Sequence, residues 1–170
     1  MVIPAARTHG QYAVAAVCLG NICRSPMAEV VLRERLDTAG LTADTGFEVA
    51  SAGTGDWHVG EPMDRRAAAT LRTAGYDPSR HRAQQWVPAW QDRFDLVLAM
   101  DGQNLADLGG PTDRVRSFRD FDPDGPGDVP DPYYGGEDGF GEVLAMVERT
   151  ADVLVTAIRQ QLGDQTVPLS

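Results

Sequence analysis

The sequence predicts a single α/β domain in which a parallel sheet carries helices on both faces. Three observations predict it. Short apolar runs suited to buried strands alternate along the chain with helix-like segments that open at capping residues and close at glycine. The 170 residues suffice for one well-buried core and are too few for two ordinary domains. Hydrophobic residues make up 42% and charged residues 24%, the balance of a globular chain rather than a disordered one.

The elements follow in order. Residues 1–11 read as a loose leader. Residues 12–18 (Tyr-Ala-Val-Ala-Ala-Val-Cys) form a short apolar run fit for a strand buried on both faces. A loop through Arg24 leads to Ser25-Pro26, where serine as N-cap and proline as first helical residue predict a helix ending near Ala39, before Gly40. A second strand fits 47–51, followed by a Gly-rich loop to Pro62. Asp64 caps a helix that ends near Ala74, ahead of Gly75. A short helical segment falls within 86–93, a third strand at 95–100, a short helix at 101–108 and a fourth strand at 115–118. Residues 119–138 form a long Asp/Pro/Gly loop. The last helix spans 140–162, with Leu144, Val147, Ala151, Leu154 and Ile158 on one face. The domain therefore covers 12–162, with 163–170 as a tail. In such folds ligands sit beyond the carboxyl ends of the strands, which directs attention to the loop after the first strand.

Charge narrows the function classes. Formal net charge is −10, and all 15 basic residues are arginine. A net-acidic chain makes a poor nucleic-acid partner, because phosphate contacts need a basic face. The longest apolar stretch near the N-terminus, residues 12–19, is far short of the roughly 20 residues that span a bilayer. No membrane association and no secretory leader are read, so cytoplasm is the expected location. The two cysteines, Cys18 and Cys23, are too few for a disulfide scaffold or an all-cysteine zinc site.

Both cysteines lie in the loop between the first strand and the first helix, where backbone N–H groups form an anion-binding nest. Gly20 can take a positive φ without strain, and Asn21 is among the few other residues that tolerate one. Arg24 closes the loop with a planar fork that holds two phosphate oxygens. The helix dipole, the N–H groups and the guanidinium together favour an anion at the centre. A Cys18 thiol there is expected to ionise below its reference value of roughly 8.5 and to act as a nucleophile, with the Ser25 hydroxyl hydrogen-bonding the sulfur. Leu19, Gly20, Asn21, Ile22, Cys23 and Ser25 complete the phosphate-binding loop. A Walker-type loop is excluded because it needs a lysine and the chain has none.

Val-Cys-Leu-Gly-Asn-Ile-Cys-Arg-Ser-Pro resembles the phosphate-binding loop of the low-molecular-weight protein tyrosine phosphatases. Asp-Pro-Tyr-Tyr-Gly at 131–135 matches that family's acid loop, and Ser-Ala-Gly-Thr at 51–54, Trp-His-Val-Gly at 57–60 and His-Arg-Ala at 81–83 resemble further family segments. The likeness covers roughly 12–160, and the Trp-His-Val-Gly pattern looks closest to actinobacterial members. The resemblance implies a four-stranded, flavodoxin-like doubly wound sheet and a two-step phosphocysteine mechanism without metal or cofactor. It implies Cys18 as nucleophile, Arg24 as phosphate clamp, and Asn21, Ser25 and His81 as loop support. Asp131 is implied as general acid and then general base.

A tyrosyl leaving group has a pKa near 10, so expelling it unprotonated is costly and a carboxylic acid can supply the proton. Among Asp120, Asp122, Asp124, Asp128 and Asp131, the last stands out because Pro132 stiffens its backbone and Tyr133-Tyr134 follow. Asp128 is the reserve. The spacing from Asp120 to Asp131 also resembles a calcium loop, but three prolines interrupt it and a strand precedes it. Trp57, Tyr133 and Tyr134 read as walls of a slot deep enough for phosphotyrosine, while His58 reads as polar decoration. Three other functions share this reading: arsenate reduction, argued against by the lack of cysteines after Cys23; phosphoarginine hydrolysis, argued against by Ile22 where those enzymes carry threonine; and non-catalytic phosphotyrosine binding, argued against by an intact nucleophile, clamp and acid. The expected partners are phosphotyrosine proteins or peptides, with inorganic phosphate or other oxyanions as inhibitors. Cys23 is the expected redox partner of Cys18.

Overall fold

A computed structural model describes residues 2–136 and 138–166, with side chains through 163. The first strand, β1, runs Tyr12–Cys18, and the first helix, α1, Arg24–Thr38. Then come β2 (Phe47–Gly53), α2 (Arg65–Thr73), α3 (Trp90–Arg93), β3 (Leu96–Ala99), α4 (Gly102–Asp107), β4 (Val115–Ser117) and α5 (Asp138–Thr166). The four strands pair in parallel in the order β2-β1-β3-β4. This is the doubly wound arrangement expected. Its strand order reverses between β1 and β3, which opens a crevice at their carboxyl ends.

Alternation along β1 explains why its run is apolar at nearly every position. Val14, Ala16 and Cys18 join the larger core layer with α1 and α5. Ala15 and Val17 face the opposite layer, with Trp90, Phe94, Val97 and Leu108. On α1 the buried residues Met27, Ala28, Val31, Leu32 and Leu36 recur at helical spacing. The expected α5 stripe is buried throughout, and Val147, Ala151 and Leu154 are completely covered. Each such Val or Leu contributes about 1.5–3 kcal/mol of burial, so this seam anchors both helices to the sheet.

Several boundaries differ from expectation, for physical reasons. Helix α1 begins two residues earlier, at Arg24, with Cys23 at the N-cap and no side-chain cap. Ser25 is not the cap, because its hydroxyl turns inward to the Cys18 sulfur 2.9 Å away. Asp64 does cap α2, accepting from the N–H groups of Arg66 and Ala67. Strand β2 runs on to Gly53, where it reaches the loop after β1. Phe118 leaves β4 for a 3-10 turn, Phe118–Phe121, and is fully buried there.

The N-terminal segment is fastened rather than loose. Ile3 is buried in the larger core layer, and the Tyr12 hydroxyl donates to the Pro4 carbonyl at 2.8 Å. The buried Asp95 carboxylate accepts the N–H groups of Arg7 and Ala13, each at 2.7 Å, which ties the segment to the head of β3. Helix α5 extends past 162 to Thr166; residues 167–170 of the expected tail lie outside the described residues. Among the described residues no helix is long and apolar enough to cross a membrane.

Candidate active site

The loop from Cys18 to Arg24 sits at the strand-order reversal, with its carbonyls held outward. Cys18 and Leu19 carbonyls accept from the N–H groups of Thr54 and Gly55, each at 2.9 Å. The Asn21 carbonyl accepts from His81 Nε2 at 2.6 Å, that of Ile22 from Asp64 N–H at 2.9 Å, and that of Cys23 from Met27 N–H at 3.1 Å. All peptides among the described residues are trans. With the carbonyls facing out, planarity turns the N–H groups of Leu19, Gly20, Ile22, Cys23 and Arg24 toward the loop's interior. Gly53 allows this seam, since a Cβ there would fall 2.7 Å from the Leu19 carbonyl oxygen.

Asn21, and not Gly20, takes the left-handed conformation, at φ +58°. A glycine would satisfy the backbone, but Asn21 also contributes its side chain. Its Nδ2 donates to Ser25 Oγ at 2.8 Å and to Ser51 Oγ at 2.9 Å, while Oδ1 accepts the Gln84 N–H at 3.0 Å. Its own N–H points at Cys18 Sγ, 3.3 Å away. Ser51 in turn donates to Glu29 Oε1 at 2.6 Å. Burial holds the His81 imidazole below its ordinary pKa, so the ring is neutral near pH 7 with its proton on Nε2, donating to the Asn21 carbonyl.

Arg24 is buried. Its Nη1 meets Asp101 Oδ2 at 2.6 Å and the Val129 carbonyl at 3.1 Å, and its Nη2 lies 3.6 Å from Asp131 Oδ2. Burial opposes its charge, but Cys18, Asp101 and Asp131 outweigh that opposition and raise its pKa above the ordinary value. Cys23 is held in the opposite sense: burial, with the charges of Asp64 and Cys18 behind it, pushes its thiol well above the ordinary range. Cys23 therefore rests as a protonated thiol, and both cysteines are free.

A cavity of about 330 Å³ opens over this loop. Cys18, Ile22, Arg24 and Asp131 line it, together with Trp57, His58, Tyr133 and Tyr134. Trp57 packs on Gly55, where a Cβ would overlap its ring at 1.9 Å. Tyr133 and Tyr134 meet edge to face at 4.9 Å, and the Arg66 guanidinium lies over the Tyr133 ring while donating to its carbonyl. Trp57 and Tyr134 are strongly exposed, as rim walls are when nothing covers them. A larger groove, about 1030 Å³, lies at the opposite end of the sheet around Tyr12, Phe47 and Asp95 and contains neither cysteine.

The residues singled out from sequence thus converge: Cys18, Arg24 and Asp131 on one cavity, with Ser25, Asn21 and His81 bracing its floor. Asp131 Oδ1 accepts the Tyr133 N–H at 3.0 Å, leaving Oδ2 toward Arg24. Asp128 is turned away, accepting the Gly102 N–H at 2.9 Å. Asp122, the middle carboxylate of the calcium-like spacing, is engaged by Arg119 and Arg149 instead. Sequence reasoning missed Asp101, Glu29 and Gln84, gave Ser51 no role beyond its family-like segment, and undervalued His58, which lines the cavity and approaches Gly20. Asp101 had a signal: it directly follows the strand beside β1, so it emerges at the same sheet edge.

The chain is also similar to known proteins. Residues 13–164 match the family described as low molecular weight phosphotyrosine protein phosphatase. The chain is 49% identical over 160 residues to a low molecular weight protein-tyrosine-phosphatase of Streptomyces coelicolor, covering 89% of this chain and 96% of that one. It is 47% identical over 141 residues to low molecular weight protein-tyrosine phosphatase A of Mycobacterium tuberculosis, covering 79% and 84% respectively. A crystal structure of a protein tyrosine phosphatase from Entamoeba histolytica, with Hepes in the active site, superposes at TM-score 0.82 with 32% identity, covering 88% of this chain and 98% of that one.

Proposed function

Because the chain belongs to the low molecular weight phosphotyrosine protein phosphatase family, we propose that it hydrolyses phosphotyrosine in proteins or peptides through a phosphocysteine on Cys18. The observation that carries this reading is the ring of outward carbonyls around Cys18, with Arg24 and Asp131 on the same cavity. In the first step the Cys18 sulfur attacks phosphorus in line with the ester oxygen. The inward N–H groups and the Arg24 fork stabilise the charge on the three equatorial oxygens. The P–O bond breaks as Asp131 delivers its proton to the departing tyrosyl oxygen. Water, losing a proton to the Asp131 carboxylate, then attacks the phosphocysteine and releases phosphate and the sulfur. Ser25 Oγ, 2.9 Å from Sγ, stabilises the leaving sulfur in this second step.

The substrate class follows from the slot. Trp57, Tyr133 and Tyr134 stand above the loop as walls for a flat aromatic ring, and Ile22 adds an apolar flank. A phosphoserine is too short to reach the N–H groups from that rim. Inorganic phosphate and other tetrahedral oxyanions are the matching inhibitors, in keeping with the sulfonate Hepes seen in the Entamoeba enzyme. The mechanism needs a reduced thiol, a state that the reducing cytoplasm maintains.

The test is turnover of a phosphotyrosine peptide beside phosphoserine and phosphoarginine peptides, with Cys18→Ser in parallel. Phosphotyrosine is hydrolysed well ahead of the others, and Cys18→Ser loses turnover while still binding phosphate. A Cys18→Ser enzyme within tenfold of wild type overturns the assignment, and preference for phosphoarginine overturns the substrate class.

A further inference from the structure

The loop that carries Asp131 is a poor platform for a catalytic group. From 122 to 131 it contains Pro123, Pro126 and Pro130 beside Gly125 and Gly127, with no helix or strand of its own. Asp131 is held locally only by its turn and lies 3.6 Å from Arg24. A group that transfers a proton must be held within a few tenths of an ångström, so something else must order this segment.

The carboxylate of Asp122 is fully enclosed and accepts four donors. Its Oδ1 accepts Arg149 Nε at 2.7 Å and the Asp124 N–H at 2.9 Å, and its Oδ2 accepts Arg149 Nη2 and Arg119 Nε, each at 2.9 Å. Arg149 belongs to α5, next to the fully buried Thr150 and Ala151 on the helix that seals the core. Arg119 reaches on: its Nη1 donates to the Asp128 carbonyl at 3.0 Å and lies against Gly127, where a Cβ would come within 3.1 Å. One residue further, the Val129 N–H donates to the Met100 carbonyl at 2.8 Å, and the Val129 carbonyl accepts Arg24 Nη1. A continuous path thus runs from α5 through Arg149, Asp122 and Arg119 to Asp128 and Val129, two residues before Asp131.

We propose that Asp122, clamped between Arg149 and Arg119, is a positioning residue that sets the acid loop so that Asp131 meets the leaving-group oxygen. The inference rests on the reading of Asp131 as general acid. Asp122 touches no substrate; it fixes the guanidinium of Arg119, which spans the loop and holds the carbonyl at 128. Loss of the clamp lets the loop drift, and the deficit is largest where protonation of the leaving group matters most.

The readout that separates positioning from simple stability is the leaving-group dependence of kcat/KM. Asp122→Asn, Arg149→Met and Arg119→Met are compared with Asp131→Asn on aryl phosphates from phenyl phosphate to p-nitrophenyl phosphate. Arg119→Met leaves the Asp122–Arg149 pair in place, so it carries the test if Asp122→Asn folds poorly. Each clamp variant is expected to lose about 10–100-fold on phenyl phosphate and less than about threefold on the nitrophenyl ester, a part of the 10²–10⁴ that a lost general acid costs. Arg149→Lys, which keeps the charge but not the fork, recovers part of the loss. The proposal is overturned if Asp131→Asn shows that dependence while the clamp variants fall equally on all esters or not at all. If Asp131→Asn itself shows no leaving-group dependence, the acid assignment falls and the clamp's role with it.

Discussion

Replacing Asn21 by alanine tests how the loop from Cys18 to Arg24 is held. Three hydrogen bonds of the amide disappear: the buried ones to Ser25 and Ser51, and the part-buried one from Gln84 N–H. At about 1 kcal/mol each they account for about 3 kcal/mol, and the Gln84 N–H, on an exposed residue, turns to water at no further cost. The backbone stays at φ +58°, which an alanine occupies at a cost of about 1–2 kcal/mol. The expected loss is therefore about 4–5 kcal/mol, a lowering of the melting temperature by roughly 8–20 °C in a chain of this size. Asn21→Gly removes the amide but not the conformational freedom, so it should be more stable than Asn21→Ala by about 0.5–1 kcal/mol after glycine's larger unfolded-state entropy is counted. Urea unfolding followed by tryptophan fluorescence measures both, and turnover of a phosphotyrosine peptide measures the loop. Activity falls in both variants, because Ser25 loses the donor that orients its hydroxyl toward Cys18. An alanine variant within 1 kcal/mol of wild type, or a glycine variant less stable than the alanine one, would refute this account.

Asp131→Asn should lower kcat/KM for phosphotyrosine by roughly 10²–10⁴, with Asp128→Asn nearly silent; a larger effect at Asp128 reverses the assignment. His81, held below its ordinary pKa by burial, binds fewer protons folded than unfolded. Its contribution to stability is thus full above about 6.5 and is lost as pH falls through that value toward the folded-state pKa. Urea midpoints from pH 7.5 to 5 should decline more steeply for wild type than for His81→Gln, and a shallower wild-type slope contradicts the sign. Under mild peroxide, the Cys18 sulfenic acid should condense with the Cys23 thiol, giving a disulfide and water. Thiol counting reads the loss, dithiothreitol restores activity, and capture should quicken with pH because Cys23 rests protonated. A Cys23→Ser enzyme that recovers with reductant as fully as wild type removes Cys23 from that role.

What the sequence made legible was local. The β1 run, the Asp64 cap and the glycines that stop α1 and α2 each obey a rule that operates within a few residues, and the structure places them where those rules put them. The same holds for Asp131, whose neighbours Tyr133 and Tyr134 line the cavity with it. Partners joined across the chain stayed hidden. Asp101 meets Arg24 from 77 positions away, and Ser51 meets Asn21 from 30. Capping statistics misassigned Ser25 for the same reason, since its hydroxyl serves a sulfur seven residues earlier rather than the start of the helix. Glycine statistics likewise favoured Gly20 for the positive φ, whereas Asn21 adopts it. The physical choice there is between cheap strain relief and a side chain that earns its place: glycine would relax the backbone and leave Ser25, Ser51 and Gln84 without their amide partner. A loop that must hold both a left-handed turn and a buried polar network therefore selects asparagine, and the αL position marks where the network begins.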